Sequence, residues 1–495
     1  MTIASNQPRR NRNRGQAPVL FLAAAMALAG CASTRGLAPA SAPLDADSLA
    51  TGRSLDAQAA ATFPSVEWWR AFQDPQLDAL VDEALAGTPS LAAADARARQ
   101  ASAQAGLADA VRKPTLGASV RATGVQAPET LVEPPMGGDF NASTAVTLDF
   151  AYAPDLWGGQ RAKYEAAVGE ARAATIDAQA ARLALAANVA STYIALGAAF
   201  DALDAAEAEA ARTGALAALE KQRVDAGIDN AGLLRQQQAA IASARQQAQA
   251  ATQRIAALRN ALAALLGAGP DRGLSIARPA LELAAPAVPD VLPSELLGHR
   301  PDVVAARWRV EAASRGIDNA RAAFKPSVNL TALVGLAAPD LGDLFGSDAL
   351  LAFGGPALSL PIFEGGALRA QLQDRNASYD LAVAAYDQAL VGGLREVADA
   401  VQAMRALDAQ LASVDEARAA AAKAFEIASD RHRAGLGNRL DVLVVQQPLL
   451  QLDQQRASLR AQRLQAAVEL DRALGGGLDF DAPPPSHVAT RTNTP

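Results

Sequence analysis

Among 495 residues there is a single cysteine, Cys31, and there are three histidines, His299, His432 and His487. A lone thiol cannot close a disulfide within its chain, and histidines so far apart form no metal-ligand spacing. No nucleophile and base constellation, phosphate loop or metal cluster can be read from the sequence, which therefore predicts no enzyme, no cofactor and no metal. Any chemistry of Cys31 must be local. Arg9, Arg10, Arg12 and Arg14 precede an apolar run from Ala17 to Leu28, and Ala29 and Gly30 lead into the cysteine. That order of basic, apolar and small residues predicts a signal peptide over residues 1–30, too short to span as a membrane helix.

Leu28-Ala29-Gly30-Cys31 resembles the bacterial lipobox, in which the cysteine is acylated and becomes the mature N-terminus. The resemblance implies lipidation of Cys31 and a lipidated linker over 31–63. Ala32 stands where an aspartate would retain the protein in the inner membrane, which implies sorting to the outer one.

The chain has 45 basic and 52 acidic side chains; four of the bases and none of the acids fall in residues 1–30, leaving 41 against 52, a net charge of −11. Nucleic acid is an unsuitable partner for such a surface. After the signal no apolar run reads as long enough for a spanning helix, so a membrane crossing would have to be made by strands.

The elements that would position any site occur twice. Pro89 aligns with Pro301 and Lys113-Pro114 with Lys325-Pro326, both at an offset of 212, and Ala226-Gly227 aligns with Ala434-Gly435 at an offset of 208. A tandem duplication is thus expected. The first repeat covers 64–285, with strands at about 114–124 and 142–153; the second covers 286–475, with strands at about 326–337 and 351–361. A tail fills 476–495. Each copy reads helix, strands, very long helix, glycine turn, return helix.

The strands rest on alternation. Leu116, Ala118, Val120 and Ala122 are interleaved with Thr115, Ser119 and Arg121, and Val146, Leu148, Phe150 and Tyr152 with Ser143, Thr147 and Asp149. The second copy sets Val328, Leu330, Ala332 and Val334 opposite Ser327, Asn329 and Thr331. Runs of about ten residues suit a tilted membrane strand, although a half-buried soluble sheet alternates in the same way. Four strands cannot close a membrane barrel, whereas three copies supply twelve.

The stretches from Gly159 to Ala226 and from Gly366 to Ala434 contain no proline and are rich in alanine. Each predicts one helix of roughly 100 Å. Ile255, Leu258, Leu262 and Leu265, and later Leu464, Val468 and Leu470, form seams with the spacing of helices packed side by side, which an ordinary solvated coiled coil would share.

In order, "WWRAFQDPQLDALVDEAL", "DLWGGQRA", "HRPDVVAAR", "FKPSVNLTA", "LSLPIFEGGALRA" and "RAGLGNRLDVLVVQQ" resemble the TolC-type outer-membrane efflux proteins, in the lipoprotein branch that serves resistance-nodulation-division pumps. The resemblance runs from Pro64 to Gly475. It implies a mainly α fold with four membrane strands per chain, a homotrimer with a 12-stranded β-barrel in the outer membrane, and a 12-helix tunnel in the periplasm. It also implies a periplasmic adaptor and an inner-membrane pump as partners, with outer-membrane lipid around the barrel, and passive conduction of small molecules. A type I protein secretion duct shares this architecture and remains the alternative.

The resemblance further implies that Gly227 and Gly435 sit at periplasmic tips that dock the adaptor. It places an inward-facing acid six residues past Gly435, at Asp441, as the periplasmic gate. Where the family's archetype has a second acid, this chain has Val444, and the archetype's closing arginine is replaced by Gly437, with Arg439 or Arg433 as substitutes. The alternative is that Asp441 points to solvent outside the tip.

Overall fold

The computed structural model describes residues 33–49, 64–133, 137–282 and 299–478. The predicted signal peptide, Cys31 and most of the predicted tail lie outside them. The element order is α1 (Pro75–Gly87), α2 (Pro89–Ala110), β1 (Thr115–Gln126), β2 (Phe140–Tyr152), α3 (Gly159–Asp225), α4 (Ala231–Leu265), α5 (Pro270–Leu274), α6 (Pro301–Ala322), β3 (Ser327–Ala338), β4 (Leu350–Ser359), α7 (Ala367–Arg433) and α8 (Arg439–Ala473). The duplication is visible in lengths: α2 and α6 have 22 residues each, α3 and α7 have 67, and α4 and α8 have 35. Proline-free, alanine-rich sequence permits helices of about 100 Å.

The chain divides into two compact units. One comprises the segments up to Pro43, Arg99–Arg172 and Arg307–Ala385; the other comprises Leu44–Ala98, Ala173–Ala306 and the chain from Tyr386 onward.

The first unit holds all four strands, in one antiparallel sheet of order β1-β2-β3-β4. Pairing sets Leu116 opposite Phe150 and Phe150 opposite Ala332, then Ala118, Leu148, Val334 and Ala352 across one row, and Val120, Val146, Leu336 and Leu350 across the next. Because side chains alternate, directly paired residues share a face, and this face is apolar from edge to edge. The other face is mixed: it carries Ser119, Arg121, Thr147, Asp149, Asn329 and Thr331, with Ser119 and Thr147 hydroxyls 2.9 Å apart, and also Leu333, Leu351 and Phe353 toward β4. Small residues bring the flanking helices together: a Cβ built on Gly169 would stand 3.0 Å from that of Ala312.

The second unit is built around one large apolar cluster. Trp68, Trp69 and Phe72 pack edge to face at 5.8 and 6.4 Å and meet Leu183, Val189, Tyr193 and Ile194 of α3, Ile255, Leu258 and Leu262 of α4, and Leu464 and Val468 of α8. A polar knot pins it. The fully buried Tyr193 hydroxyl donates to Asp74 Oδ2 at 2.9 Å and receives Gln76 Nε2 at 2.6 Å, while Asp74 also caps α1 and accepts the Ala280 amide at 2.9 Å. Burial raises the Tyr193 hydroxyl pKa well above the ordinary range. Every buried polar atom of the knot is satisfied, which is what makes such a network stabilising.

One reading needs correction. α3 contains an 18-residue window of mean hydropathy 1.6, long and apolar enough by composition to cross a membrane. Half of that window is buried within the chain. Leu185, Ala186, Val189, Ala190, Ile194 and Leu196 of α3 bury their side chains in the cluster, so protein surroundings account for their apolar character.

Candidate functional site: the two helix tips

Both long helices end in the same backbone device. At the end of α3 the Ile228 amide donates to the Arg223 carbonyl at 2.8 Å and the Gly227 amide to the Val224 carbonyl at 3.0 Å; at the end of α7 the Leu436 amide donates to Arg431 at 2.8 Å and Gly435 to His432 at 3.0 Å. These are paired Schellman closures, which require a left-handed residue. Gly227 and Gly435 supply it, with φ of 71° and 75°. A Cβ on either glycine would meet nothing within 4 Å, so the requirement is conformational. Three residues on, an asparagine starts each return helix. The Asn230 side chain accepts the Gly232 amide at 2.8 Å, and that of Asn438 accepts the Asp441 amide at 2.8 Å. Each closure also leaves an apolar side chain in the open: Ile228 is 66% exposed and Leu436 71%.

Side-chain chemistry differs between the tips. In the first, Arg223 forms an ion pair with Asp229. In the second, the Asp441 carboxylate turns back to accept the Asn438 amide at 3.2 Å and completes a capping box. Asp441 is exposed, Val444 is 55% exposed, and Arg439 is exposed as the first residue of α8. Arg439 makes no ion pair among the described residues, whereas Arg433 pairs with Asp430. Asn-x-x-Asp before an apolar run is a helix-start pattern, so the capping role of Asp441 was available from the sequence and was missed.

A second missed residue is Arg212 of α3. Its guanidinium is 6% exposed, holds Glu209 through two bonds of 2.8 and 2.6 Å, and donates through Nη1 to the Leu443 carbonyl at 3.2 Å. That carbonyl is next to Val444, whose own carbonyl would have received the amide that Pro448 lacks. No spacing in the sequence links residue 212 to 443. A third is Asp471 of α8, a half-buried acid whose carboxyl is pushed up to about 7 by desolvation. Its counterpart in the first copy is Ala263, which is buried.

No group of three or more His, Cys, Asp or Glu residues that could hold a metal ion occurs among the described residues. The arrangement offers instead a sheet apolar on one face with its polar side chains gathered on the other, and long helical hairpins with shaped tips. That defines a channel-forming membrane protein. The chain belongs to the outer membrane efflux protein family, whose model matches residues 80–268 and 292–476. It is 38% identical over 376 residues to the fusaric acid resistance protein FusA of Burkholderia cepacia, covering 74% of this chain and 70% of that one. It is 30% identical over 428 residues to the multidrug resistance outer membrane protein MdtP of Escherichia coli strain K12, covering 85% and 88%. The crystal structure of the outer membrane protein VceC from Vibrio cholerae superimposes with a TM-score of 0.77 at 37% identity, covering 84% of this chain and all of that one. The protein is thus an outer-membrane efflux channel, and its family and fold are those of channels.

Proposed function

We propose that three copies assemble into a duct that passively conducts small molecules outward, completing a tripartite system with a periplasmic adaptor and an inner-membrane pump of the resistance-nodulation-division type. The observation that carries the reading is the sheet. One face is apolar across all four strands and suits lipid; the other carries the polar side chains, concentrated on β1, β2 and the start of β3, with Leu333, Leu351 and Phe353 as apolar members, and suits a wet lumen. Among the described residues β1 and β4 each leave one edge unpaired. In hydrocarbon each unpaired backbone group costs several kcal/mol, so copies related by threefold symmetry close the ring at twelve strands. Small-molecule cargo is supported by the relatives, whose names specify fusaric acid and multidrug resistance.

In this reading Gly227 and Gly435 form the adaptor-docking tips, with Ile228 and Leu436 as the apolar contacts. Asp441 from three chains rings the narrowest point, flanked by Val444 and Arg439, and favours cations over anions. The Asp441 carboxylate holds the return helix in register as well, so gate and helix start share one residue. Cys31 carries acyl chains that aid sorting, while the closed barrel is the durable anchor.

Planar-bilayer recording of the purified protein tests the whole. Discrete, cation-selective conductance from a species that migrates as a trimer until heated is the expected result. A monomer without conductance would overturn the reading.

A further inference from the structure

In the unit that carries the strands, a concave pocket of about 470 Å³ lies between the start of α3 and the end of α6. Its lining includes Trp157, Arg161, Arg315, Arg321 and Lys325, against two carboxylates, Glu165 and Asp318. The acids are largely committed: Glu165 is held by Arg161 at 2.7 Å and Arg315 at 3.3 Å. Arg321 reaches Asp318 only at 3.7 Å, and Lys325 pairs with no carboxylate among the described residues. The Lys325 ammonium sits 4.9 Å from the centre of the Trp157 ring, and the Trp157 indole donates to the Pro326 carbonyl at 2.6 Å. Two cations are therefore held in place without a full anionic partner.

The location says what that partner is. Lys325 stands two residues before β3, and the apolar face of the sheet begins at once with Val328, Leu330 and, across the pairing, Leu358. Nearby chain exposes Leu156, Trp157, Ile362 and, at 85%, Phe363. Tryptophan and lysine at the end of an apolar strand face mark a membrane interface. A phosphate in the pocket would have its acyl chains on hydrocarbon-facing strands.

The duplicated corner serves as an internal control. At the same offsets Asp109 replaces Arg321 and Glu364 replaces Trp157, and Lys113, the counterpart of Lys325, is neutralised by Asp109 at 2.5 Å. Duplication alone does not create the basic pocket.

We propose that the Trp157, Arg321 and Lys325 corner binds the headgroup phosphate of an anionic phospholipid in the membrane leaflet at the helix side of the strands. The inference rests on the membrane-strand reading given above. Native mass spectrometry of the full-length protein, with phosphatidylglycerol, phosphatidylethanolamine or glycerol phosphate added, provides the test. Wild type should retain phosphatidylglycerol preferentially. Arg321→Gln combined with Lys325→Gln should weaken that retention about twenty-five-fold, at about fivefold per basic residue, while Lys113→Gln leaves it unchanged. Equal retention of the two lipids, undiminished retention by the double variant, or equally tight binding of glycerol phosphate would overturn the proposal, the last by pointing to a soluble anion. Bilayer conductance of the same preparations separates the two readings: a conducting wild type with no lipid preference sinks only the lipid site, and a non-conducting one sinks the barrel.

Discussion

The two tips are one backbone written twice with different side chains. Gly227 and Gly435 take the same left-handed conformation, close the same pair of hydrogen bonds and are followed by the same asparagine cap. Beyond that they part: position 441 is an aspartate in a capping box where the first copy has Leu233, and Pro448 stands where the first copy has Ala240. Arg212, which holds the Leu443 carbonyl of the second return helix, has Ala420 as its own counterpart. What is duplicated is the geometry that turns a helix; what has diverged is the side-chain chemistry beside the turn. In the function proposed above, gating falls to the second tip and docking to both.

The largest effect should come from the shared feature. Gly227→Val or Gly435→Val places a β-branched residue at positive φ and should abolish efflux, read as drug susceptibility, while the heat-resistant trimer survives. Asparagine tolerates the left-handed region, so Gly435→Asn separates two causes. Restored resistance would mean that conformation alone matters; continued susceptibility would mean that a partner backbone must approach the glycine.

Next in size is the cross-link that only the second tip receives. Arg212→Met leaves Glu209 and the Leu443 carbonyl without their donor and should cost about 2–3 kcal/mol of stability. A lower trimer dissociation temperature is expected, together with larger or noisier conductance as the start of α8 loosens. Ala420→Ser, at the matching position of the second copy, should do neither, and an equal effect there would erase the asymmetry.

Asp441→Ala should lower cation preference in single-channel recordings and also remove half of the capping box, worth about 1 kcal/mol. Asn438→Ala removes the cap and keeps the carboxylate, so it should spare selectivity. Loss of selectivity in both variants would show that helix register, and not charge, sets the gate. Leu233→Ala in the first tip should leave selectivity alone.

The smallest effect concerns Asp471. A carboxyl raised to about 7 by burial binds more protons in the folded chain than in the unfolded one between roughly pH 4 and pH 7, so stability declines as pH rises through that window. Asp471→Asn should flatten the decline in trimer dissociation temperature between pH 5 and pH 8. An unchanged slope would place the titration elsewhere.

The sequence alone determined whatever depends on periodicity and on backbone permission. Alternation from Leu116 to Ala122 and from Val328 to Val334 needs only neighbours in the chain to predict a two-faced strand. Glycine after a proline-free helix needs only its missing Cβ to predict a reversal. The repeat was legible because the offsets of 212 and 208 preserve turn residues as well as apolar ones. Tertiary structure decided every property set by residues distant in sequence. The burial that raises Asp471, the Arg212 bond to a carbonyl more than two hundred residues away, the knot of Asp74, Gln76 and Tyr193, and the seating of Lys325 over Trp157 all depend on which surfaces meet. Hydrogen-bond partners and desolvation are properties of positions in space, and the order of residues fixes these only once the helices have packed.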